Sequence, residues 1–127
     1  MIIQKLSLSK YHWEVTVWYD VTQEDSSQLL QMLESLHSTY KEALESLSII
    51  KDKDKGFIHT DILNRVSFIC ICRVSSSEEL INSVAHEVKH LQSHVCNYYN
   101  IPEDGEEAAY LCGDTAMQMY KKFKMLL

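Results

Sequence analysis

The chain has 127 residues, 46% of them hydrophobic, which suits one compact domain with a modest core (residues 1–127) and leaves no room for a second. A formal charge of -6 without any lysine- or arginine-rich run argues against a phosphate backbone or an anionic lipid surface, so nucleic acid is excluded as an expected partner. No apolar run approaches the length of a membrane span, and MIIQKLSLSK lacks the features of a secretory signal, so the expectation is a cytosolic protein with no membrane association.

In chain order, residues 2 to 8 form a weakly patterned candidate strand. Residues 13 to 19, WEVTVWY, alternate so that Trp13, Val15, Val17 and Tyr19 share one face, with Trp18 interrupting the polar side. From Thr22 the period changes. Leu29, Met32, Leu33, Leu36, Tyr40, Leu44 and Leu47 recur three and four apart, predicting a long amphipathic helix with a break near Ser38 and a capping box at Thr22 and Asp25. KDKDKG (51–56) reads as a solvated turn. VSFICICRV (66–74) is apolar on both alternating faces, which predicts an interior strand covered on both sides. Four cysteines, Cys70, Cys72, Cys96 and Cys112, sit among apolar neighbours and form no C-x-x-C pair, so reduced core residues are expected.

Ser76 and Glu79 form a second capping box, opening a helix that Asn100 and Pro102 close. This helix carries HEVKH. Residues four apart on a helix share a face, so His86 and His90 can grip one ion together. Glu87 then stands beside the ion, placed to take a proton from water. The phase agrees: Leu80, Val84, Val88, Leu91, Val95 and Tyr98 make one apolar stripe, while His86, His90 and Asn97 cluster away from it.

A catalytic zinc generally has three protein ligands, and the third must come from elsewhere. His94 lies one turn further along, but three successive turns make a line rather than a cup, and packing against the site is its expected role. The last helix, from about Gly105 to Lys124, is the preferred source. Glu106 falls in phase with Ala109, Tyr110, Gly113, Met117 and Tyr120, read as the buried stripe, whereas Glu107 shares its face with Asp114, Gln118 and Lys121. An inward glutamate needs an ion or a cation nearby. The third-ligand expectation is therefore Glu106, ahead of Glu107 or His94.

HEVKH followed sixteen residues later by GEEAAY resembles the gluzincin kind of zincin metallopeptidase, and is similar to minimal ImmA/IrrE-like peptidases and small HExxH proteins of phages and mobile elements. The resemblance covers residues 66 to 120. It implies an α+β zincin-like fold: a short mixed sheet, a long helix, an HExxH helix and a C-terminal helix. It also implies Zn²⁺ held by His86, His90 and Glu106, with Glu87 as general base in peptide-bond hydrolysis. Lys89 departs from the uncharged residue usual within such motifs, and no HExxHxxGxxH continuation follows. Tyr110 is a candidate electrophile for the tetrahedral intermediate, with a packed core tyrosine as the alternative. The expected activity is that of a zinc-dependent metallopeptidase acting on a peptide or protein substrate. The alternative is an inactive zincin-fold protein that binds a partner protein.

Overall fold

The computed structural model describes residues 1–51 and 55–127. Asp52, Lys53 and Asp54, the middle of the expected KDKDKG turn, lie outside the described residues. The fold is α+β. Strands β1 (Ile2–Leu8), β2 (Trp13–Val21), β3 (Gly56–Asp61) and β4 (Val66–Cys72) form one mixed sheet in the order β1-β2-β4-β3. The central pair, β2 and β4, is parallel; β1 and β3 flank it antiparallel.

The alternation of β2 places Trp13, Val15, Val17 and Tyr19 on one covered face and Trp18 on the other, where it packs edge-on against Phe68. Trp18 thus interrupts a polar pattern because this face of the strand is covered from Trp18 onward, whereas Glu14 is exposed and Thr16 half-buried. A bulge shifts the β2–β4 register between Trp18 and Val21. Within it Asp20 adopts a left-handed φ of 60° and binds Arg73 through both carboxylate oxygens, at 2.7 and 3.0 Å. The extra residue rotates Val21 onto the same face as Trp18. In β4, Ile69 and Ile71 face one layer while Phe68, Cys70 and Cys72 face the other, as expected of a strand covered on both sides. Among the described residues the four cysteines form no disulfide, and Cys70, Cys72 and Cys96 are buried.

The expected long helix is two, α1 (Ser26–Ser35) and α2 (Tyr40–Lys51), covering the Trp18 face with Leu29, Leu33 and Ile50. The Thr22–Asp25 capping box is present, on a short 3-10 turn that leads into α1. The break falls where His37 takes a left-handed φ of 60°. Thr39 and Glu42 then exchange hydrogen bonds in a further capping box that starts α2. Strand β3 has no counterpart in the sequence reading. All six of its residues are only partly buried, as at a sheet edge, and it joins β4 through a tight turn in which Arg65 has a φ of 54°.

The opposite face is covered by α3 (Ser77–Tyr99) and α4 (Glu106–Phe123). Ser76 caps α3 by accepting from the Glu79 N–H, and Asn100 ends it in a left-handed conformation, φ 56°. Helix α4 has the expected limits but the opposite phase. Ala108, Leu111, Thr115, Met119 and Phe123 are its buried residues, whereas Glu106, Ala109, Tyr110, Gly113, Met117 and Tyr120 face outward. Both stripes repeat three and four apart and both mix apolar with small or polar residues, so spacing did not decide which one is inward. Tyr110 is accordingly no core tyrosine; it is 67% exposed.

Gly56, the first residue of β3, has a φ of 159°, and a Cβ there would lie 2.2 Å from the Cys70 carbonyl oxygen. That oxygen belongs to the buried β4 backbone and cannot swing aside. Gly56→Ala is expected to destabilise the protein by roughly 2–3 kcal/mol, read from chemical denaturation. Ala substitution at Gly113, where nothing lies within 4 Å of the added Cβ, is the matched control and should not destabilise the monomer.

Candidate functional site

Helix α3 lies over β4 and the edge strand β3, with Leu80, Val84, Val88, Leu91 and Val95 buried against the sheet. At 100° per residue, His86 and His90 emerge on the flank of that stripe, where Gly56, Phe57 and Ile58 of β3 form the facing wall. The resulting cleft has a volume of about 330 Å³, and His86, Glu87, His90 and His94 complete its lining. The expected clustering of the two histidines away from the core stripe is present.

The imidazoles converge, with His86 Nε2 and His90 Nε2 3.1 Å apart. That separation is a hydrogen bond between the two rings, and it is also close to the roughly 3.3 Å between two nitrogens that bind one ion at about 2.0–2.1 Å with a near-tetrahedral angle. Glu87 Oε1 lies 4.0 Å from His86 Nε2. Glu87 itself is 2% exposed, and its Oε2 has no hydrogen-bond partner. Burial without a partner pushes its carboxyl up from the usual 4.5 to about 7. A carboxyl of that affinity can accept a proton and return it near neutral pH.

His94 is held from behind by a buried polar chain. Trp13 Nε1–H donates to Ser67 Oγ at 2.9 Å, Ser67 and Thr60 hydroxyls are 2.7 Å apart, and Thr60 Oγ1 is 2.7 Å from His94 Nδ1. Indole can only donate. If each hydroxyl passes its proton onward, every donor in the chain finds an acceptor, and His94 Nδ1 receives the last one. Its proton then resides on Nε2, in the neutral form that burial, with smaller contributions from His90 and His59, already favours. In that tautomer the lone pair of Nδ1 is taken up by Thr60 and Nε2 carries the proton. A second histidine, His59, fastens the edge strand: its Nε2 lies 3.1 Å from the Leu36 carbonyl and its Nδ1 3.2 Å from Glu42 Oε2.

Glu106 is not brought to the histidines. It starts α4 on the outward face, and it does not line the cleft. The flank of α3 that meets the approach to α4 is the one bearing Lys89, Gln92 and Ser93, all of which contact Glu103. Glu107 is committed elsewhere, to Lys10 at 3.0 Å and the Tyr11 hydroxyl at 3.1 Å. Among the described residues no group of three or more histidine, cysteine, aspartate or glutamate side chains is arranged to hold a metal ion. The residues present thus bring two converging imidazoles and one carboxyl to the cleft, fewer than the three protein ligands plus a base that a catalytic zinc generally has. Sequence periodicity missed three things: the burial of Glu87, the wall supplied by β3, and the Trp13–Ser67–Thr60 chain. The available signal for β3 was the turn pair Asp61 and Asn64, whose side chains bond at 2.7 Å, just after GFIHT.

Because the Glu87 carboxyl is raised in the folded state, folding takes up a proton between pH 4.5 and 7. Stability from this residue falls as pH rises through that window and stays lower above it. Glu87→Gln removes the ionisation and is expected to stabilise the metal-stripped protein at pH 8 by about 2–3 kcal/mol, with little effect at pH 4. Denaturant melts in the presence of a chelator at the two pH values check this. No protein-family model, curated protein or solved structure matches the chain.

Proposed function

We propose that this chain is a zinc-dependent hydrolase of peptide bonds, with His86 and His90 holding the ion and Glu87 as the general base. The observation that carries the reading is the convergence of the two Nε2 atoms at 3.1 Å beside a buried carboxyl whose Oε2 has no hydrogen-bond partner among the described residues. Zinc, when bound, supplies Lewis acidity toward water and a scissile carbonyl. Glu87 takes a proton from the attacking water and delivers it to the leaving amine, and its raised affinity suits both directions. The surrounding residues exclude bulk water from its Oε2. His94, fixed through Thr60, holds the floor of the cleft in one arrangement.

A purely structural histidine pair has no use for a desolvated carboxyl beside it. The cost of burying Glu87 unpaired is thus support for chemistry at the site. The position of Glu106 favours the second reading, a zincin-like protein that binds a partner protein without turnover, since two imidazoles leave the ion short of a third protein ligand. Resemblance of the motif to gluzincins supports the first reading; the geometry of α4 supports the second.

Metal content per chain, measured together with cleavage of unfolded protein substrates, separates them. The hydrolase reading expects about one zinc per chain, a loss of at least tenfold in zinc affinity in His90→Ala, and retained zinc with cleavage reduced at least a hundredfold in Glu87→Gln. Zinc bound without cleavage in the native chain favours the binding protein. Equal metal in the native chain and His90→Ala removes both readings. Glu106→Gln tests the expected third ligand, and unchanged zinc affinity is the outcome its outward position leads one to expect.

A further inference from the structure

We propose that α4 is the contact helix of a symmetric homodimer, in which two copies of this chain pack antiparallel through Tyr110, Gly113, Met117 and Tyr120. The proposal is independent of the metal site. Tyr110, Met117 and Tyr120 are 67%, 61% and 50% exposed along one face of the helix, at the spacing of a buried stripe. Among the described residues none covers this face.

Gly113 gives a second, separate indication. It lies inside a regular helix without a positive φ, and nothing stands within 4 Å of where its Cβ would be. Glycine weakens an exposed helix interior relative to alanine, and neither backbone geometry nor a close neighbour within the chain accounts for it here. A second helix crossing at this point would use the missing side chain to bring the two backbones together.

The charges choose the occupant and the direction. Glu106 begins the helix and Lys121 stands near its end. Parallel copies would set like charges side by side. In an antiparallel pair with its two-fold axis at the 113–114 step, Glu106 meets Lys121 of the other copy, which borders this face on the Asp114 side, and Tyr110 meets Met117, because each pair is equidistant from that step. Gly113 then meets Asp114, and Tyr120 lies level with Glu107, so the complementary pairs are Glu106–Lys121 and Tyr110–Met117, each made twice as an isologous contact requires. The 18 residues of α4 span about 27 Å, and a single helix pair of that length buries less than about 1,200 Å², so association should be weak.

Sedimentation equilibrium of the full chain from about 5 to 500 μM is the test, with dissociation expected in the micromolar range. The average mass should rise from 14.8 kDa toward twice that value. Met117→Glu, at an exposed position of the monomer, should keep the circular dichroism spectrum and weaken association at least tenfold. Gly113→Ala should raise the melting temperature of the dilute monomer while weakening the dimer, two opposite effects that a merely structural glycine would not show. Glu106→Lys should weaken association, and adding Lys121→Glu in the same chain should restore it. A mass fixed at 14.8 kDa over the whole range, or a dimer indifferent to Met117→Glu, overturns the proposal. A double exchange that fails to restore association overturns the antiparallel arrangement.

Discussion

The parallel pairing of β2 with β4 is the constraint from which the rest of the molecule follows. Parallel neighbours cannot be joined by a tight hairpin, so the chain between them must cross the sheet, and here α1, α2 and the edge strand β3 make the crossing. Two parallel central strands are buried on both faces, which obliges the sequence to supply a helical layer for each. Helices α1 and α2 serve the Trp18 face, α3 and α4 the Trp13 face. With β4 central and β3 at the edge, α3 lies along their boundary and its histidine flank overlooks the rim of the sheet. The cleft is therefore a product of topology, and its residues are those that the boundary leaves unfilled.

Within that cleft the energetic tension is local. A carboxyl that is almost fully desolvated and lacks a partner opposes folding, whereas the neighbouring polar chain from Trp13 to His94 is satisfied at every step. The satisfied chain crosses from β2 through β4 and β3 into α3, so the elements that frame the cleft share one hydrogen-bonded network.

How far the sequence revealed this depends on which physical signal each element carries. Strands β2 and β4 and helix α3 were legible because complete burial or paired caps impose a strong pattern. Strand β3 was not, because an edge strand half in water carries little alternation, and its partner β4 decides its existence. The juxtaposition of His86 and His90 followed from helical spacing alone. The relation of α3 to Glu106 did not, since it depends on which face of α4 is inward. There, Ala108, Leu111, Thr115, Met119 and Phe123 are buried while Tyr110 and Met117 look out, a choice between two stripes of equal spacing that periodicity does not make. Ser67 and Thr60 are unremarkable as residue types, and only the three-dimensional register sets one against Trp13 and the other against His94.

The same parallel pair bears on how the chain reaches its native state. Glu14 lies beside Val66 and Trp18 beside Cys70, partners separated along the chain by all of α1, α2 and β3. The β1–β2 hairpin and the α1–α2 unit can form from neighbouring residues, but the central ladder must wait for a large loop to close, and the entropy of that closure is recovered only afterwards. A nascent chain emerging from the ribosome would hold β2 with one edge bare until β4 arrives. Its slowest step is consequently a search between distant segments, and the hydrophobic run 66–72 is the segment most exposed to intermolecular strand pairing during that wait.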